Sequence, residues 1–147
     1  WLYEVNMGAT TVWERWNSVL PNGLVSDTGM NSLNHYAYGS IVEWMYRFMA
    51  GLNPAAPGFA RARIAPKTDA RFEFAHAKYD SASGIYESGW KHTPNGDEFT
   101  VAVPFNCEAD FIPETLDGEW TLNGMPAPIE DGAIHLSAGK YTIVHKK

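Results

Sequence analysis

The chain has 147 residues, of which 45% are hydrophobic and 19% are charged, a composition typical of a globular protein. Its formal net charge of −6 argues against nucleic acid or an anionic membrane as a partner, because both attract basic surfaces. The one cysteine, Cys107, excludes an internal disulfide bond and a zinc site made of thiolates, and no apolar run approaches the ~20 residues of a membrane-spanning helix.

The first informative segment is residues 9–16, Ala-Thr-Thr-Val-Trp-Glu-Arg-Trp. It places one carboxylate, Glu14, between Trp13 and Trp16 in a region that carries few other charges. Tryptophan rings stack on the apolar faces of sugars, and a carboxylate held away from water is suited to acid–base chemistry. The segment therefore indicates a sugar-processing cleft. The alternative is that Glu14 forms a structural ion pair with Arg15 or another cation.

Residues 32–50 are predicted to form a helix, because their apolar side chains recur at the i, i+3, i+4 spacing of a helical face. Ser32 is the expected N-cap, and Gly51 stands where a glycine ends many helices. The other face is apolar too, which indicates a helix packed on all sides. His35 would lie in the first turn, where the helix dipole favours a neutral imidazole able to bind a hydroxyl group; otherwise it is a core histidine. Asn34 is either a ligand-binding amide or a second capping side chain.

Residues 53–58 are predicted to be a linker, because their two prolines and one glycine interrupt helices and favour turns. Beyond them apolar residues alternate with a period of two, which is typical of half-buried strands. Asn-Gly or Asp-Gly pairs at 95–96, 123–124 and 131–132 favour tight hairpins. The sequence thus predicts about eight short strands in an antiparallel β-sandwich.

Other sites and cofactors find little support in the sequence. The histidines at 76, 92, 135 and 145 lack the spacing of metal ligands, so no metal site is expected. Neither a dinucleotide fingerprint, a phosphate loop nor a nucleophile elbow occurs, and no cofactor is expected. Trp90 and Trp120 could form a sugar-stacking platform, although alternating aromatic residues in strands are usually core residues.

The two N-terminal blocks, residues 8–16 and 29–39, closely resemble the last conserved blocks of bacterial α-L-rhamnosidases of glycoside hydrolase family 78. Ala65-Pro66, residues 77–81 and Gly84 are similar to the start of that family's C-terminal β-sandwich. The resemblance implies an α+β fragment, in which terminal helices of an (α/α)₆ barrel precede an antiparallel β-sandwich. The barrel would end over residues 1–52, the linker would cover 53–58, and the sandwich would cover 59–147.

By this resemblance Glu14 is the general base and His35 contacts rhamnose, with Trp13, Trp16 and Asn34 as further substrate-binding candidates. The family inverts configuration, and its two carboxyl groups stand about 6.5–9.5 Å apart to admit a water. Its general acid lies in an upstream acidic block that nothing in this chain matches. The chain also opens on Trp1 with residues that look like the interior of a longer protein. We therefore expect a fragment that is inactive alone.

The expected partners are a rhamnose-containing glycan or glycoside and the upstream remainder of the barrel. A second hypothesis makes the sandwich a non-catalytic carbohydrate-binding module with Trp90 or Trp120 as its platform. A third makes it a structural cap on the barrel, which we favour for residues 59–147 because each strand's aromatic residues lie on one face. The compartment stays open: a bacterial protein of this kind could be cytoplasmic, periplasmic or secreted.

Overall fold

The computed structural model describes residues 1–146. The chain divides into two compact units, the first from Trp1 to Glu43 and the second beginning at Trp44. Helical segments come first and β-sheets follow, which confirms the predicted α+β order, although the barrel helices are present only in part. Within residues 1–146 no helix combines the length and the apolar character needed to cross a membrane.

Helix α1 (Leu2–Asn6) opens the first unit and is followed by loops and turns. These loops are ordered by buried polar contacts. The fully buried Ser18 hydroxyl donates to the Arg15 carbonyl and accepts from the Arg15 amide. The Asn31 side-chain amide donates to the carbonyls of Ser18 (3.2 Å) and Ser26 (2.9 Å). Such contacts satisfy backbone groups that have no helix or sheet partner.

The helix predicted over residues 32–50 starts later and is irregular. It consists of a 3₁₀ turn (Ala37–Ser40), helix α2 (Ile41–Trp44) and a π-helical turn (Met45–Met49). The prediction that Ser32 caps this helix is wrong. Its hydroxyl accepts the Asn34 amide at 3.1 Å in a local turn, a contact that serine often makes in place of helical bonds.

The late start of the helix has a cause in the backbone. A helix beginning at Ser32 would need the Ser32 and Leu33 carbonyls to accept amides four residues further on. The Ser32 carbonyl instead accepts the Glu14 amide at 2.8 Å, and the Leu33 carbonyl accepts the Thr11 hydroxyl. The segment around Glu14 therefore takes the acceptors that a longer helix would use.

Gly51 follows the helical segment, as the sequence predicts. Its φ of 72° lies in the left-handed region, and its carbonyl accepts the Ala65 amide at 2.8 Å. A Cβ at this position would lie 2.1 Å from the Pro66 nitrogen, so a side chain cannot be accommodated without a shift of the backbone.

The helical segment over residues 37–49 has no buried residue. The predicted packing on all sides is thus not met within residues 1–146. Its large exposed apolar side chains, with their exposed fractions, are Val42 (52%), Trp44 (46%), Met45 (47%) and Phe48 (51%).

Up to residue 146, the second unit contains ten strands in two sheets. The strands are β1 (Leu52–Pro54), β2 (Arg61–Ile64), β3 (Phe74–Ser81), β4 (Gly84–Thr93), β5 (Gly96–Val103), β6 (Glu108–Phe111), β7 (Glu119–Leu122), β8 (Met125–Pro126), β9 (Ile134–Leu136) and β10 (Gly139–Lys146). One sheet has the order β1-β2-β6-β9 and the other the order β3-β4-β5-β10-β7-β8. All pairs are antiparallel except β2–β6, which is parallel.

Inward-facing residues of both sheets form one apolar core, as expected for a sandwich. Trp90 and Trp120 are 3% and 6% exposed and belong to this core. The hypothesis that either one is a sugar-stacking platform is therefore wrong, because its ring faces are covered by protein. Tyr86 is fully buried and its hydroxyl donates to the Phe59 carbonyl at 2.9 Å; burial raises the pKa of Tyr86 above its usual value.

The segment predicted as a linker is built partly into the sandwich. β1 pairs with β2 in the register Leu52↔Ile64, and Leu52 is 3% exposed in the core. Pro54 is tolerated because β1 is an edge strand, where a missing N–H breaks no ladder. Two of the predicted turns are confirmed, because both residues of the pairs at 123–124 and 131–132 have positive φ. The hairpin between β4 and β5 also forms, but its turn is at Pro94 and Asn95, and Gly96 is the first residue of β5.

Candidate active site

Residues 9–16 and 32–35 lie beside each other through hydrogen bonds. The Glu14 amide donates to the Ser32 carbonyl, and the Ser32 amide donates back to Glu14 Oε2, each at 2.8 Å. The His35 amide donates to the Val12 carbonyl at 2.7 Å. The two blocks that carry the predicted base and the predicted rhamnose contact are thereby brought together.

Glu14 is half-buried, and its two carboxylate oxygens differ. Oε2 accepts the Ser32 amide, whereas Oε1 accepts no hydrogen bond from any residue in the range 1–146. Arg15 does not pair with it: its Nε and Nη2 donate to the carbonyls of Met30 (3.0 Å) and Gly29 (3.1 Å). An anchored carboxylate with one open oxygen can accept a proton from a water or a hydroxyl group.

His35 precedes the helix, so the expectation that it lies in the first helical turn is wrong. Its Nδ1 accepts the Ala37 amide at 3.2 Å, and its ring stacks on Tyr36 with centroids 5.0 Å apart. An imidazole that accepts at Nδ1 in its neutral form carries its proton on Nε2, which can donate to a ligand. The Asn34 side chain is exposed and makes no hydrogen bond within the described residues, so it caps no helix end there.

The two tryptophans beside Glu14 have different environments. Trp13 is 4% exposed, so it offers no open ring face to a sugar. Trp16 is 41% exposed and stacks on Tyr38, with ring centroids 3.7 Å apart and planes 5° from parallel. Trp1 approaches Trp16 edge-on at 4.9 Å. Trp16 therefore belongs to a partly exposed aromatic cluster of Trp1, Trp16 and Tyr38, in which only Trp16 was predicted to bind substrate.

A second carboxylate in the same unit has no role predicted from the sequence. Glu4 on α1 is 4% exposed, and its Oε1 is buried without a hydrogen-bond partner in residues 1–146. A buried carboxylate without a donor is costly, so Glu4 is expected to gain one in the folded, functional protein. The signal available in the sequence was a lone charge in a short helix of apolar and aromatic residues.

The histidines of the sandwich make local contacts. His92 Nδ1 lies 2.5 Å from Asp97 Oδ1, His135 Nδ1 lies 2.6 Å from Asp110 Oδ1, and the His145 ring stacks on Trp120 at 4.2 Å. Among residues 1–146, no group of three or more histidine, cysteine, aspartate or glutamate side chains is arranged to hold a metal ion.

Known proteins match this chain in two successive regions. Residues 1–49 match the family model of the bacterial alpha-L-rhamnosidase 6 hairpin glycosidase domain, and residues 51–121 match that of the bacterial alpha-L-rhamnosidase C-terminal domain. An alpha-L-rhamnosidase of Alteromonas sp. (strain LOR) is 44% identical over 113 residues, or 77% of this chain. One of Streptomyces avermitilis is 39% identical over 141 residues, or 95% of this chain.

A solved structure agrees with these matches. The crystal structure of the Streptomyces avermitilis alpha-L-rhamnosidase complexed with L-rhamnose matches 98% of this chain with a TM-score of 0.79 and 34% identity, and the match covers 14% of that protein. The two relatives are likewise covered over only 12% and 14% of their lengths. The chain therefore belongs to the bacterial α-L-rhamnosidase family and corresponds to the C-terminal region of its members.

Proposed function

We propose that this chain is the C-terminal part of a longer glycoside hydrolase that removes terminal α-L-rhamnose from glycans or glycosides, with Glu14 as the general base. The observation that carries the proposal is the reciprocal pairing of Glu14 and Ser32, which fixes Oε2 and leaves Oε1 open. The names of the relatives supply the substrate class: the proteins that share these blocks are called α-L-rhamnosidases.

In this proposal hydrolysis inverts the anomeric centre. Glu14 Oε1 takes a proton from a water as that water attacks the anomeric carbon, and the glycosidic C–O bond breaks on the opposite face. The departing oxygen receives its proton from a carboxylic acid outside this chain, in the upstream part of the barrel. His35 Nε2 donates to a rhamnose hydroxyl, the Asn34 amide binds another, and Trp16 forms an apolar wall. Trp13 contributes packing and not sugar contact, because it is buried.

We further propose that residues 1–52 are the end of the catalytic barrel and that residues 59–147 are the sandwich attached to it. The exposed apolar side chains of the helical segment 37–49 support this division. In the longer protein the upstream helices would cover them, because a helix that is apolar on all faces needs neighbours.

The test is Glu14→Gln in the longer protein, assayed against a panel of aryl glycosides that includes the α-L-rhamnoside. Loss of the base should lower kcat by roughly 10²–10⁴-fold, while the melting temperature stays close to wild type because glutamine retains an acceptor for the Ser32 amide. The matched control is Glu130→Gln, an exposed glutamate of the sandwich, which should change neither quantity.

Two results would contradict the proposal. Retained turnover in Glu14→Gln would remove Glu14 from the chemistry. A fall in melting temperature, with kcat unchanged in the remaining folded protein, would assign it a structural role instead.

A further inference from the structure

The outward face of the six-stranded sheet carries a hollow that no role described above uses. In β4 the residues Ser88 and Trp90 face inward, where they donate to the carbonyls of Ala50 (2.6 Å) and Met49 (2.7 Å). Gly89 lies between them and so belongs to the opposite face of the sheet. The hollow is therefore on the face of the sheet opposite the Met49 and Ala50 carbonyls.

Gly89 is one of the residues that line the hollow, and its neighbours on β3 and β5 crowd it closely. His76, Gly89 and Thr100 are register partners on β3, β4 and β5. A Cβ on Gly89 would lie 2.8 Å from His76 Cδ2 and 3.2 Å from Thr100 Oγ1. Glycine destabilises the interior of a strand, and here the missing side chain admits the close approach of His76 and Thr100 to the Gly89 backbone.

The neighbouring row of side chains closes the hollow on one side. Phe74, Lys91 and Glu98 are register partners on the same three strands. Together with His76, Gly89 and Thr100 they line a concavity of about 200 Å³. This is smaller than the roughly 300–1,000 Å³ of sites for drug-sized ligands and suits a single ring.

The lining combines one apolar ring with balanced polar groups. Phe74 is 66% exposed, which leaves a ring face open to a ligand. Lys91 Nζ and Glu98 Oε1 form an ion pair at 2.8 Å, so their charges cancel and a neutral ligand is favoured over an ion. Lys91 can donate, Glu98 can accept, and the Thr100 hydroxyl can do both.

We propose that this hollow binds one neutral pyranose ring, with Phe74 stacking on the sugar's apolar face and with Lys91, Glu98 and Thr100 bonding its hydroxyl groups. A pyranose has the required properties: a neutral ring of this size, an apolar face, and hydroxyls that both donate and accept. The inference goes beyond the proposed hydrolysis, because it requires neither Glu14 nor turnover. On a polymeric glycan such a second contact raises the effective concentration of chain ends near the protein.

The experiment is an NMR titration of the full 147-residue chain with three separate probes: methyl α-L-rhamnopyranoside, methyl β-D-glucopyranoside and methyl β-D-galactopyranoside. At least one should give saturable shifts at amides around Gly89, with a dissociation constant in the millimolar range. Sorbitol, which carries hydroxyl groups but no ring face, should give none.

Phe74→Ala should weaken binding of the responding sugar by about tenfold, the loss expected for roughly 1.4 kcal/mol of stacking. The matched control is Phe105→Ala, which removes a phenylalanine that is 91% exposed in the turn after β5 and should leave binding unchanged. If Phe74→Ala does not fold, Thr100→Val serves instead, since it keeps the strand-favouring shape, removes the hydroxyl and should weaken binding several-fold.

The absence of saturable shifts with all three probes overturns the inference, and so does unchanged binding in both Phe74→Ala and Thr100→Val. Shifts confined to residues 1–43 overturn it as well, because they place the sugar at the Glu14 loops. Glu14→Gln should retain the shifts around Gly89. The test of hydrolysis and the test of the sugar site can therefore fail independently of each other.

Discussion

Asp110 on β6 has two polar neighbours on the outer face of the four-stranded sheet. Arg61 Nε and Nη2 donate to its Oδ2 (2.9 Å) and Oδ1 (2.8 Å), and His135 Nδ1 lies 2.6 Å from Oδ1. The Arg61 hydrogen bonds, assisted by the contact with His135 and opposed by partial burial, hold the pKa of Asp110 below its usual value. The carboxylate therefore stabilises the fold as long as it is ionised.

Asp110→Asn should lower the free energy of unfolding at neutral pH by about 0.5–1 kcal/mol, a modest value because Arg61 is largely solvated. Because the pKa of Asp110 is lowered, the full difference in unfolding free energy between wild type and variant is present above the ordinary aspartate pKa. This difference disappears as the pH falls through the lowered pKa. Urea unfolding at a series of pH values measures it. Asp80→Asn, an exposed residue of β3 without an ion-pair partner in residues 1–146, is the control. A deficit that persists unchanged at acidic pH would contradict this account.

The environment of a single residue is often not predictable from the sequence, and the two tryptophans near Glu14 are an example. Trp13 and Trp16 lie on either side of Glu14 in the sequence, yet one is buried and the other joins a partly exposed cluster with Trp1 and Tyr38. The type of each residue indicated an aromatic surrounding for the carboxylate. Which ring faces solvent depends on contacts from distant parts of the chain, and residue type alone does not encode those contacts.

Among the elements, two of the three hairpin turns were predicted at the right residues and the helix start was not. A positive φ is a local property that Asn-Gly and Asp-Gly pairs favour by themselves, so the turns at 123–124 and 131–132 follow from the dipeptides. The turn between β4 and β5 lies one residue earlier than its dipeptide, at 94–95. The helix depends on which groups accept its amides. The Ser32 and Leu33 carbonyls are used by the Glu14 segment, and side-chain periodicity carries no information about that competition.

Gly51→Ala should be the more damaging of two comparable substitutions. Gly51 and Gly132 have φ of 72° and 78°, so alanine at either costs roughly 1–2 kcal/mol of backbone strain. At Gly51 the new Cβ also meets the Pro66 backbone, whereas at Gly132 nothing lies within 4 Å. Chemical unfolding of the two variants should show Gly51→Ala at least ~1 kcal/mol less stable than Gly132→Ala. Equal losses would mean that the contact with Pro66 relaxes freely.

At the scale of the whole molecule, the chain holds one proposed catalytic carboxylate and an uncovered apolar helix. We expect the purified chain to give no turnover of an aryl α-L-rhamnoside, because inverting hydrolysis needs an acid as well as a base. Co-expression with the upstream part of the longer protein should restore turnover, and Glu14→Gln in the same complex should abolish it. Turnover by the chain alone would show that its own residues supply the acid.

The anchor of Glu14 is a main-chain amide, and this has a consequence for variation. Any residue at position 32 except proline offers the same N–H to Glu14 Oε2, so the donor does not depend on the identity of the serine side chain. The hydroxyl of Ser32 can be lost, or replaced by another side chain, while the carboxylate keeps its orientation. A change of side chain at position 32 would cost the turn contact with the Asn34 amide, but it would not remove the donor that anchors the proposed base.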